Sequence, residues 1–255
     1  MDVRVSKRDE IVAEAQNRWY KPIKDLAAFQ VNDRREVVSE EVAAEIKGLF
    51  AQYGYFDAVW PQEYSYDAAL ILGATIQGMV KRTRWVVDLV LQGKLKTRQI
   101  VWSVSERSVD QSEPGKTKTL PSAMVNGLIT EQLLTARSES EAAKALLTAT
   151  EALLGNHGVE LLVDTTPNPD VVPSRSANTE ETMRHWQAVS RQQYVLLASN
   201  NPFAPRQFAI GCANLDAPVV DLTAAKGNAD DYTVGLLLSE LAKTLFVLQQ
   251  ARLVE

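Results

Sequence analysis

Several polar side chains capable of recognition chemistry stand directly after apolar runs. Ser105, Glu106 and Arg107 follow the run 99–104, and Ser199, Asn200 and, a little further on, Arg206 follow the run 194–198. A guanidinium presents a planar fork of donors that matches a carboxylate or a phosphate, so Arg107 and Arg206 are candidates for holding negative charge. Asn200 can fix a ligand's orientation by hydrogen bonding, and Glu106 is the candidate general base where burial raises its pKa. Plainer readings stand beside these. Glu106 and Arg107 also suit a solvated ion pair, and two asparagines before Pro202 suit a tight turn.

A second polar stretch, 175–183, contains Arg175, Asn178 and Thr179 at an expected helix start. Free N–H groups and the positive dipole end favour an anion there, with Arg175 offsetting Glu180 and Glu181. An ordinary cap by Asn178 or Thr179 explains the same residues. Gly73 ends another apolar run, and Arg82 and Arg84 lie on the helix expected after it, where arginines more often face water.

Nucleophilic and metal chemistry finds less support. Ser105, Ser199 and Cys212 lack a nucleophile elbow or a triad order. Cys212 is the single cysteine and there are two histidines, which excludes an internal disulfide and disfavours a His-rich metal centre. His157 suits a helix end and His185 a helix interior. An all-carboxylate magnesium site at Asp164 or Glu106 is the one metal alternative.

These candidates need elements to position them. Short apolar runs at 67–73, 99–104, 159–163, 194–198 and 218–222 predict strands, and helical periodicity predicts helices over 77–92, 120–134, 140–154, 179–189, near 206–212 and over 231–251. Strands alternating with helices of this length imply a mainly parallel sheet covered on both faces, a three-layer Rossmann-like α/β domain over 67–255. Residues 1–66 read as a helical N-terminal extension, with Ile11, Ala15, Trp19 and Ile23 at helical spacing and a capped start at Ser39. The aromatic residues between Tyr53 and Tyr66 pack that extension onto the core or line a pocket. Loops at 108–119 and 165–176 are long enough to carry function. In such sheets ligands bind beyond the carboxyl ends of the strands, where the polar residues above collect.

A net charge of −5 argues against nucleic-acid binding, and no run of signal-peptide or membrane-span length is present. The lone cysteine fits a reducing cytoplasm, and a homo-oligomer stays open.

The order of these pieces resembles the YdcF/SanA/ElyC-type family, a Rossmann-like domain of unknown function. The resemblance covers 67–213: Leu72-Gly73, an arginine in the next helix (Arg82 or Arg84, the match favouring Arg84 by its spacing from Gly73), a strand running into Ser105, the Asn178-Thr179-Glu180 helix start, and a strand reaching Ser199 with Arg206 beyond it. It implies a cleft at the sheet's carboxyl edge, and S-adenosylmethionine or a nucleotide as ligand. Two expected features are absent: an acidic residue around 120–124 and a histidine within 200–205. Two functions follow as expectations. One is a small anionic or zwitterionic ligand held at that edge, with transferase or phosphate-ester chemistry at Glu106; the other is a non-catalytic sensor or interaction module that keeps the cleft.

Overall fold

The computed structural model describes residues 39–62, 65–169 and 176–250. The fold is α/β. Five strands, β1 (Ser65–Leu72), β2 (Lys96–Ser105), β3 (Glu160–Thr166), β4 (Tyr194–Asn200) and β5 (Val219–Ala225), form one all-parallel sheet in the order β3-β2-β1-β4-β5. The central strands are apolar on both faces because helices cover both. Ala69 and Ile71 of β1 face one core with Ile100, Trp102 and Val104, and Ala68, Leu70 and Leu72 face another with Val101, Val195 and Leu197.

The first core is closed by α2 (Ile76–Leu91) and α6 (Glu139–Leu154), and the second by α7 (Thr179–Val189) and α8 (Ala204–Asn214). Gly211 of α8 lies so close to Leu197 that a Cβ there would collide with it. A third cluster joins α1 (Glu40–Gln52) to α9 (Val234–Gln250) through Phe50, Leu237 and Leu238. The predicted cap at Ser39 is present, its Oγ accepting from Val42 N–H at 3.3 Å.

The strand predictions hold, with β3 longer than expected. Asp164, Thr165 and Thr166 continue its pairing with β2, polar composition notwithstanding. After α3 (Glu113–Lys118), the single helix expected over 120–134 is replaced by the short helices α4 (Ser122–Val125) and α5 (Glu131–Leu134). Pro121 opens α4 and Gly127 takes φ +78°, so the periodic pattern is cut twice. Part of the expected 108–119 loop is thus helical. The predicted elements before residue 39, and residues 170–175 of the expected 165–176 loop, lie outside the described residues.

The aromatic segment after α1 serves the sheet. Val59 exchanges hydrogen bonds with Ala224 (2.8 and 3.0 Å), adding an antiparallel bridge along β5. Tyr66 donates its hydroxyl hydrogen to buried Asp221, which also accepts from Gln62 N–H at 2.7 Å. Trp60 packs against Trp85 with 5.0 Å between centroids, and Tyr53 stays exposed.

The chain leaves β1 for β2 and β3 on one side, then returns across the sheet to β4 on the other. The crevice between the carboxyl ends of β1 and β4 is the topological switch point, the expected place for a ligand in a doubly wound sheet.

Candidate functional site

At the switch point the dominant side chain is Arg82. It lies on the buried face of α2 with Met79, Val86 and Thr83, and is only 2% exposed. Its Nη1 donates to the carbonyls of Leu72 and Gly73 (2.9 Å to the latter), and its Nε donates to Asn200 Oδ1 at 2.7 Å. The guanidinium therefore links the ends of β1 and β4. Nη2 makes no hydrogen bond within the described residues. Burial, with Arg206 nearby, lowers the Arg82 pKa to about 10 against the opposing pull of Glu139 and Tyr232, so it is charged at neutral pH.

Arg107 grips the same turn from the other side. Its Nη2 donates to Ala74 O at 3.0 Å, one residue beyond the carbonyl held by Arg82. Two buried carboxylates hold Arg107 in turn, Glu113 at 2.9 Å and Glu139 at 3.5 Å. Burial opposes its charge, but these partners outweigh it and raise its pKa further.

Glu139 is the first residue of α6, a position that suits a carboxylate. The stretch after β2 brings it in: Ser108 bridges to Ser138, and Glu139 N–H donates to Arg107 O at 2.8 Å. Its Oε2 accepts from Ser105 N–H at 2.9 Å and from the Ser105 hydroxyl at 2.7 Å. Glu113, from α3, accepts at 2.8 Å from the N–H of Ile76, the first residue of α2. The amino end of the helix after β1 is thus already occupied by a protein carboxylate.

The β4 side carries Asn200, Tyr232 and Arg206. The Tyr232 hydroxyl donates to Asn201 O at 2.7 Å, and its ring stacks on Phe56 with centroids 6.2 Å apart. Burial and then Asp231 raise the Tyr232 pKa, while the Asn200 amide and Arg82 oppose them. Arg206 Nε donates to Glu240 Oε2 at 2.6 Å, and Lys243 donates to the other oxygen at 2.8 Å. Glu240 is 2% exposed; burial would raise its pKa, yet Arg206 and Lys243 hold it below the usual carboxylate range.

Of the residues singled out in the sequence, Gly73, Ser105, Arg107 and Asn200 come together through these contacts. Arg206 is close enough to influence Arg82 but is bonded to Glu240. Ser199 is buried against α8, where it bonds Gln207. Arg84 sits elsewhere, paired with Asp88 at 2.7 Å and bonded to Asn126 O. Glu106 is exposed, accepting from Ser140 Oγ at 3.1 Å. Asn178 forms a capping box with Glu181 (3.0 and 2.8 Å), and Thr179 O accepts from Thr182 Oγ1. Arg175 lies outside the described residues.

Arg82, Glu113, Glu139, Tyr232 and Glu240 did not emerge from the sequence as site residues of first choice. Helical phase separates Arg82 from Arg84, because Arg82 stands three residues after buried Met79 and four before buried Val86. The acids offered no comparable signal, since glutamates in first helical turns are ordinary.

Compared with known proteins, the chain matches no family model and no curated protein.

Proposed function

We propose that the protein binds a small anionic or zwitterionic ligand, of nucleotide or S-adenosylmethionine type, in the crevice between β1 and β4. The observation that carries this reading is Arg82. A charged guanidinium almost wholly removed from water, fixed by two carbonyls and Asn200, is an expensive arrangement. Its remaining nitrogen can meet a carboxylate or phosphate without reorganisation. Asn200 and Tyr232 then orient the ligand from the β4 side.

The non-catalytic version of this reading has its own support. Glu139 and Glu113 are saturated by Ser105, Arg107 and backbone N–H donors, and exposed Glu106 bonds Ser140. No described carboxylate at the crevice stands ready to take a proton. Were chemistry to occur, Glu139 beside Ser105 would be better placed than Glu106.

The test is a thermal-shift panel of adenine nucleotides, S-adenosylmethionine and sugar phosphates on the wild type, Arg82→Lys and Asn200→Ala. A ligand at one hundred times its Kd stabilises by about 2.7 kcal/mol. A shift in the wild type that falls in both variants supports the reading. No shift with any compound at millimolar concentration refutes it, as does a shift that both variants retain.

A further inference from the structure

A separate cavity of about 370 Å³ opens on the flank of the sheet, between the β2–β3 surface and the carboxyl-terminal end of α7. Its wall includes Gln99, Asp164, Trp186, Ser190, Arg191 and Gln192. Lining residues from the early part of β2 and the end of α7 set it apart from the strand ends that form the crevice.

Asp164 is the unusual member. Its side chain is 14% exposed, one oxygen stands 3.5 Å from His185 Nε2, and the other is buried with no hydrogen-bond partner. Burial raises its pKa, His185 opposing. Ser103 and Thr166 compound the deficit: Ser103 is paired in register with Asp164, Thr166 follows two residues on, and both hydroxyls are buried without partners. Register and the period of two put all three on one sheet face. Ser103 and Thr166 do not line the cavity; the group that does is Asp164, a largely desolvated carboxylate whose ion-pair partner His185 stands no nearer than 3.5 Å, and a cation brought to its accessible side would supply the charge it lacks.

We propose that this cavity binds a small primary amine, an amino-acid zwitterion by preference, with its ammonium on Asp164 and its carboxylate on Arg191. An ammonium brings three donors and the charge that a desolvated carboxylate lacks. Arg191 is exposed and has no ion-pair partner among the described residues, which leaves it for the ligand's negative end. The volume suits an amino acid. A divalent metal fits less well, because no group of three or more His, Cys, Asp or Glu side chains converges among the described residues.

The experiment titrates the full chain with common amino acids, the corresponding amines lacking the carboxylate, and the N-acetyl forms lacking the ammonium. Binding is read by calorimetry and by the indole N–H resonance of Trp186. An amino acid is expected to bind and to move that resonance; its amine binds more weakly, and its N-acetyl form does not bind. Asp164→Asn should weaken binding by about tenfold or more, and Arg191→Ala should remove the advantage of the amino acid over its amine. Val189→Trp, at an exposed position of the wall, should block the cavity while leaving the core intact. The proposal is overturned if N-acetyl forms bind equally well, if folded Asp164→Asn retains affinity, if Val189→Trp binds normally, or if nothing binds at roughly 10 mM, an affinity of less than about 3 kcal/mol.

Discussion

Replacing Gly73 by alanine places a methyl group against the most constrained carboxylate of the crevice. An added Cβ would stand 2.8 Å from Glu139 Oε2, 3.0 Å from its Cδ and 3.1 Å from Oε1. The backbone is no obstacle, since Gly73 is not among the positive-φ glycines, and glycine to alanine at a compatible position stabilises by about 0.4–1 kcal/mol through the unfolded chain. Against this, the carboxylate cannot retreat without loosening its bonds to Ser105 N–H, Ser105 Oγ and Arg107. Hydrogen bonds to a charged group are worth about 1.5–3 kcal/mol each. Losing one outweighs the entropic gain, so Gly73→Ala should destabilise the fold by about 1–2 kcal/mol, or about 2–8 °C in Tm for a chain of this size. Urea and thermal unfolding measure the loss. A cycle with Glu139→Ala locates it, because the penalty of the Gly73 change should shrink when the carboxylate is absent. A neutral or stabilising Gly73→Ala, or a penalty that persists without Glu139, would refute the steric argument.

Two other perturbations follow from the same geometry. Arg206→Ala leaves buried Glu240 with Lys243 alone and should cost about 2–3 kcal/mol, less than the full loss of a buried pair. Because the folded pKa of Glu240 is depressed, its pairing contributes stability above the ordinary carboxyl pKa near 4.3, and that contribution fades as pH falls from there through the depressed value. Equilibrium unfolding of Glu240→Gln across that range should show a flatter acid limb than the wild type; an unchanged slope would contradict the assignment. Asn178→Ala should cost about 1 kcal/mol through loss of the capping box, as measured by denaturant titration. If its only effect is on the cap, affinity for any crevice ligand stays unchanged, whereas a joint loss of affinity would restore Asn178 as a contact.

Much of the sheet was legible because the central parts of β1, β2 and β4 are buried on both faces and read as largely apolar runs. The segment 108–134 was not, since Pro121 and Gly127 divide a pattern whose apolar spacing alone suggests one helix. At the crevice, residues leaving strands directly were identifiable: Gly73, Ser105 and Asn200 emerge where strand ends dictate. Partners delivered by tertiary packing were hidden. Nothing near Glu113 or Glu139 in the sequence reveals that each meets Arg107, and the distance along the chain from Arg206 to Glu240 conceals their pairing. Arg82 was recoverable in principle, for its helical phase placed a cation on an otherwise buried face.

The double grip on Gly73 and Ala74 has a mechanical consequence. With neighbouring carbonyls tethered from opposite sides by guanidiniums that are themselves anchored, the first turn of the sheet's rim resists hinge motion. On the function proposed above, the ligand meets a rigid mould whose shape was settled during folding, so discrimination there operates through fit, and little ordering entropy is lost on that side when the mould is filled.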